Sequence, residues 1–381
     1  MHESVDAASP ASTLDAANLA FALKLFSVLD QTSTGENLFL SPFSVSLALA
    51  MVYNGARGST LQALARATGY TSLPPAALNH AMVGLLGALR ARDKAVALQI
   101  ADSLWYRQGI GVSPAFMATL KASYGAPATA LDFNSPTAPA TINAWVSRQT
   151  HGLIPSIVHT IQPEEVLFLI NALYFKAPWA LQFQVASTQP GPFTLQNGQQ
   201  KTLPLMAHAG AYAYAATPSY QAISLPYASG QFSMVIVLPT TSSSLAQFQR
   251  GLTAASWQQL VGTLSPHYGR IVLPRFTVDY SASLNQALSA LGMGIAFDPN
   301  RADLSGMFTS IRGYVSRVQH RAIMEVNEQG TTAAAVTSIG VGAMAVPVLT
   351  FTMLVNRPFF CAIRDNVSGT LLFMGSIVDP K

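Results

Sequence analysis

The chain has 381 residues, half of them hydrophobic and only 10% charged, with a formal net charge of +4. It is long enough and apolar enough to bury a large core, which excludes a disordered chain, and so small a charge gives no reason to expect nucleic acid as a partner. Cys361 is the single cysteine, so an internal disulfide is excluded, and no apolar run is long and unbroken enough to predict a membrane span.

Residues 1–17 carry no basic region followed by an apolar one and do not read as a signal peptide; they are expected to form a flexible extension ahead of a single domain over 18–381. Leu19, Leu23, Phe26 and Leu29 recur near helical spacing and predict a first helix over 18–30. Over 37–70 the pattern predicts a short strand, a helix that starts at Ser41 and Pro42 and runs to Tyr53, and a further helix after a glycine turn. Hydroxyls at Ser41 and Ser44, in the first turn of so apolar a helix, need partners; capping by Ser41 is the simplest use.

Helices are expected over 76–90, 114–124 and 141–152, with a strand over 96–107; Arg90, Arg92 and Lys94 read as a solvated basic edge. Residues 166–179 are too continuously apolar for an edge and predict a central strand. Asn171 lies inside that run and must hydrogen-bond something polar nearby in space. Short strands follow at 193–195, 201–206, 222–226 and 232–238, then two short helices over 245–264. One strand is expected over 270–278, with Pro274 marking a bulge or an edge, then a helix over 283–291 ended by Gly292 and a strand over 314–325 that holds His320. The class is α+β.

The stretch 325–359 is unusual. Between Gln329 and Asn356 it has no charged residue, yet Gly330, Gly340, Gly342 and Pro347 forbid a helix. Taken alternately, Thr331, Ala333, Ala335, Thr337, Ile339 and Val341 form one mainly small or apolar face, so the segment is spelled to lie in a sheet with its odd-numbered residues inward. GVGAMA at 340–345 formally matches a dinucleotide fingerprint, but Pro347 and the β-branched run after it rule out the helix such a turn must open. No nucleophile elbow, zinc-protease helix, phosphate loop or cysteine cluster occurs, so catalysis is not expected.

The run Glu328, Gln329, Gly330, Thr331, Thr332, Ala333, Ala334, Ala335 resembles the proximal hinge of the serpins, and LVNRPFF at 354–360 with LLFMGSIVDP at 371–380 resembles that family's C-terminal signature. The resemblance extends over nearly all of 18–380 and is to the inhibitory, antitrypsin-like type. It implies a fold of helices packed around three mainly antiparallel β-sheets, with an exposed reactive-centre loop over about 328–350. Ser41, Ser44, Asn171 and His320 would form the polar shutter beneath the place where the main sheet opens, and Trp179 would mark the breach at its top. A fixed distance from the hinge glycine implies Met344 and Ala345 as the reactive bond.

The function so implied is irreversible suicide-substrate inhibition of a chymotrypsin-, elastase- or subtilisin-like serine protease, with a cysteine protease as a second class of target. The resemblance further implies a monomer with no cofactor, metal, nucleic acid or membrane partner, acting outside the cell or in the periplasm. A non-inhibitory carrier or chaperone on the same fold is the alternative, and the small residues at Ala333, Ala334 and Ala335 argue against it.

Overall fold

The computed structural model of the protein describes residues 9–33, 35–331 and 348–381. The chain builds an α+β fold around two hydrogen-bonded sheets. The six-stranded one, called the main sheet here, runs in the order Phe276–Ser283, Arg317–Val326, Gly330–Thr331, Leu167–Pro178, Ala97–Arg107, Ala128–Leu131. The nine-stranded one ends in the buried strand Leu38–Leu40, beside the C-terminal hairpin Leu371–Ile377 and Phe359–Asp365, and at the other edge in Phe351–Leu354. Two of the three expected sheets are therefore joined edge to edge, and the long strand Gln200–Ala216 joins them by pairing with Tyr220–Tyr227 on one side and Ser265–Pro274 on the other.

Leu167–Pro178 is central, as its continuous apolar run predicts, because it is covered on both faces. Leu167, Leu169, Leu173, Phe175 and Ala177 face the main core, where helix Pro42–Gly55 lies. Phe168, Ile170 and Ala172 face a second cluster built with Ile142 and Val146 of helix Ala138–Gln149 and with Ile154, Ile157 and Val158 beyond it. Side chains of one strand alternate between faces, so each parity of this strand has its own core.

Several expectations change. The first helix runs Pro10–Asp30, not 18–30: Ser9 caps it, Pro10 opens it and Leu14 is 1% exposed, so residues 10–17 belong to the folded unit. That helix is long and apolar enough to cross a membrane, yet Leu14, Phe21, Leu25 and Phe26 are packed in the core. The single strand expected over 270–278 is two strands in different sheets, Ser265–Pro274 and Phe276–Ser283; Pro274 ends the first because it has no N–H for the ladder. Arg92 is not a solvated edge residue, since it forms a two-pronged ion pair with the fully buried Asp365.

Candidate functional site

The site is the seam of the main sheet. Leu167–Pro178 and Arg317–Val326 pair directly and in parallel over Phe168–Ala172 and Arg317–Arg321. At the top of the same two strands the chain turns at Asn327–Gln329 and sends Gly330 and Thr331 back between them, antiparallel to both: Thr331 is opposite Val326 on one side and Ala177 on the other. One strand is thus already begun in a slot that is zipped shut below.

Each described residue of this turn is held for an identifiable reason. The turn closes on Asn327, whose side-chain oxygen accepts from the N–H groups of Gln329 (3.1 Å) and Gly330 (3.3 Å). Gly330 passes so close to the central strand that a Cβ would lie 2.1 Å from the Ala177 carbonyl oxygen, so only glycine fits. The Thr331 hydroxyl, 1% exposed, hydrogen-bonds the Tyr227 hydroxyl at 2.6 Å. Tyr227 in turn stacks on Trp179, with ring centroids 4.4 Å apart, and Trp179 donates from Nε1 to the Asn327 carbonyl and from its backbone N–H to that of Gln329.

Glu328 is buried beside this turn and accepts at Oε1 from Arg275 (2.5 Å) and Thr188 (2.7 Å). Burial would raise its carboxyl, but the hydrogen bonds from Arg275 and Thr188 outweigh that and hold it below the ordinary carboxylate value. Arg275 occupies the single residue between the two strands that Pro274 separates.

Beneath the zipped part of the seam lies a buried polar cluster. Asn171 and His320 are register partners, and the His320 Nδ1–H donates to Asn171 Oδ1 at 2.6 Å; Ser44 Oγ donates to the same oxygen at 2.9 Å. His320 Nε2 accepts from the Ser41 backbone N–H at 3.2 Å, which requires the neutral ring with its proton on Nδ1. Burial pushes that imidazole down to about 3. Ser41 also caps helix Pro42–Gly55 through the Ser44 N–H, so the capping and the seam-facing uses are made by the same residues.

The sequence reading brought Ser41, Ser44, Asn171 and His320 together, and the structure places them in contact. It missed Asp102, on the neighbouring strand, which accepts from Asn171 Nδ2 at 2.6 Å. It also missed two arginines on Arg317–Val326 that reach across the front of the sheet. Arg321 donates to the Ser156 carbonyl and pairs with Asp279; Arg317 pairs with Glu165 at 2.8 Å and donates to the Thr160 carbonyl. They tie the segment after helix Ala138–Gln149 over the seam. Thr332, Ala333, Ala334, Ala335, Met344 and Ala345 lie outside the described residues.

The family model for Serpin (serine protease inhibitor) matches residues 16–380. The chain belongs to the serpins. Leukocyte elastase inhibitor of Homo sapiens is 34% identical to this serpin over 381 residues, covering 96% of this chain and 99% of its own. The native-state crystal structure of the thermophilic serpin tengpin superposes with a TM-score of 0.89 at 31% identity, covering all of this chain and 96% of that one. Human thyroxine-binding globulin complexed with thyroxine superposes equally well, TM-score 0.89 over 98% of this chain and all of the other, but at 24% identity it speaks for the fold alone. The family is one of protease inhibitors, and this serpin is not an enzyme. No group of three or more metal-ligating side chains occurs among the described residues.

Proposed function

We propose that this serpin inhibits a serine protease irreversibly as a suicide substrate, by inserting its cleaved loop into the seam. The observation that carries the reading is register. Thr331 pairs with Ala177 and with Val326, and the pairing is antiparallel to both flanks, so each step forward in the loop is one step back in either neighbour. Continued six residues, the same register sets Thr337 opposite Asn171 and His320 at once. The odd-numbered loop residues then share the face of Leu169, Leu173 and Phe175, the main core, as their small and apolar composition requires.

Insertion must separate Asn171 from His320 by one further strand spacing, about 4.8 Å. A Thr337 hydroxyl between them would replace what is lost: it accepts from His320 Nδ1–H and donates to Asn171 Oδ1, so neither of the two separated groups is left unpaired.

In the reaction proposed, the serine oxygen of the protease attacks the Met344 carbonyl. The Met344–Ala345 amide bond breaks, and the new amine leaves with the proton taken from the serine. Met344 remains as the acyl group, joined through its carbonyl to the protease serine oxygen as an ester. Thr331–Val341 is then free to enter the seam, gaining ladder hydrogen bonds and burial on the order of 10 kcal/mol. That exceeds the roughly 3 kcal/mol carried by an oxyanion-hole donor, so the tethered protease is distorted before water can deacylate it. A methionine side chain suits a chymotrypsin-, elastase- or subtilisin-like pocket, and a cysteine protease forms the equivalent thioester.

The test is thermal. Cutting the loop between 340 and 347 with a protease that is not trapped should raise the unfolding temperature by about 10 °C, roughly in proportion to the inserted burial. An unchanged temperature after complete cleavage would point instead to a non-inhibitory carrier or chaperone.

A further inference from the structure

Helix Pro75–Ala91 buries Leu78, Met82, Leu85 and Leu89 in the main core beside helix Pro10–Asp30. On the flank of that face His80, Gly84, Ala88 and, at the helix end, Arg92 recur at intervals of four, so they lie in one row. The two middle members are small, and at Gly84 a Cβ would meet nothing within 4 Å. The row therefore leaves a hollow where larger side chains would make a contact. Against Pro10, Leu14 and Asp15 of the first helix it encloses a groove of about 410 Å³, within the roughly 300–1,000 Å³ usual for small-molecule sites. From His80 to Arg92 the row is about 18 Å long. Its floor is apolar, made by Leu14 and Leu85, and its charged groups stand at the ends.

The polar groups at the Arg92 end differ in how they are spent. Arg92 is taken by Asp365 in its two-pronged pair, and the Ser368 hydroxyl donates to the same carboxylate at 2.6 Å. Asp15 is half-buried and has no hydrogen bond or ion pair among the described residues. A carboxylate so placed loses water without gaining a donor. Burial first, and then the charge of Asp365, raise its pKa to about 6 against a smaller lowering by Arg92. The field at Asp15 is thus net negative and calls for a cation, which Arg92, already paired, does not supply.

We propose that the groove between these two helices binds a small amphipathic amine, with its ammonium on the Asp15 carboxylate and its apolar chain laid over Gly84 and Ala88 toward His80. The chemistry of the groove selects this class. An anion would have to displace Asp365 from Arg92, and an uncharged chain would leave Asp15 unpaired. None of the groove's lining residues belongs to the main sheet, so the inference is independent of the inhibitory reading.

Isothermal titration at pH 7 with n-octylamine, n-octanol and octanoate compares three ligands that share an apolar tail and differ in head charge. Octylamine should bind at least about ten-fold more tightly than either of the others. Asp15→Asn should remove that advantage and leave octanol binding unchanged. Gly84→Leu fills the groove from an open helix position, suits a helix better than glycine, and should weaken octylamine at least about ten-fold. Between pH 7 and pH 5 the affinity of wild type for octylamine should fall about ten-fold, because the ammonium needs the ionised carboxylate and that group titrates at about 6. The charged groups facing Asp15 are Asp365 and Arg92, with His80 at the opposite end of the groove and Arg364 lining the neighbouring cleft. His80→Gln should therefore keep the fall with pH, and Asp15→Asn should lose it. The proposal is overturned if octanol or octanoate binds as tightly as octylamine, if octylamine does not bind, or if Asp15→Asn or folded Gly84→Leu binds it as wild type does.

Discussion

His320 and Asn171 face each other across the two paired strands of the seam, 2.6 Å apart at Nδ1 and Oδ1, and each is completely buried. Most buried hydrogen bonds hold a fold in one state. In the insertion proposed above, continued register would bring Thr337 to this place and replace the bond with a longer bridge.

Thr337→Val keeps the shape and removes the hydroxyl. It should leave the uncleaved protein's stability unchanged and weaken the inserted form by about 1 kcal/mol or more, a factor of roughly five in the partition between trapping and release. Unfolding of the cleaved protein and the stoichiometry of inhibition measure the two effects. A valine variant that inserts as well as wild type would mean that the loop enters in a different register.

Gly330→Ala should interfere with the hinge through sterics alone. The new Cβ would lie 2.1 Å from a backbone oxygen of the central strand, which no rotamer can relieve. The turn should be expelled from the top of the sheet, costing about 1–3 kcal/mol by urea unfolding and exposing Tyr227 to quenchers. Normal stability and unchanged quenching would show that Gly330 and Thr331 do not sit between the strands in solution.

Glu328→Ala leaves Arg275 half exposed, so water recovers part of what the pair loses, and the expected cost is only about 1 kcal/mol. A double-mutant cycle with Arg275→Ala should recover coupling of that order. Additive single effects would contradict a latch between the hinge and the residue that separates the two strands after Pro274.

Two buried groups set opposite pH responses. His320 has its pKa depressed to about 3, so between pH 6.5 and 3 the unfolded chain takes up a proton that the native state refuses, and stability falls as pH falls. Asp102 has its pKa raised, so above pH 3.8 the unfolded chain releases a proton that the native state keeps, and stability falls as pH rises until the native group also ionises. The groups facing the pair are the uncharged Ser41, Ser44 and Asn171, with Tyr53 farther along the covering helix. His320→Gln should remove close to one proton's slope, about 1.4 kcal/mol per pH unit, from the acid limb, and Asp102→Asn should flatten the rise-side loss. Urea midpoints from pH 4 to 9 check both; variants that parallel wild type throughout would show that neither group titrates differently on folding.

Part of the seam was legible in the residues themselves, while the grouping of Ser41, Ser44 and His320 with Asn171 came from the resemblance to the serpins. An asparagine inside an apolar strand demands partners, and the alternating small residues of 331–341 announce a strand with an inward odd face. Ser9 followed by Pro10 was equally readable as a helix start and was masked by the Ala- and Ser-rich composition around it. Gln200–Ala216 runs far beyond the expected 201–206, because from Ala207 onward alanine, glycine and tyrosine alternate with little apolar contrast and the strand is specified by its neighbours' edges. Asp102, Arg275, Arg317 and Arg321 could not be assigned from local pattern at all. Each acts on a residue distant in sequence, and only the folded sheet says which one.

The account's central claim is trapping by insertion. The most direct measurement incubates the protein with chymotrypsin, pancreatic elastase and subtilisin, then resolves the products by denaturing gel and mass spectrometry. The account predicts a covalent complex that survives denaturation, with the released C-terminal peptide beginning at Ala345. Complete loop cleavage by all three with no complex, and with both proteases and fragments released intact, would contradict it.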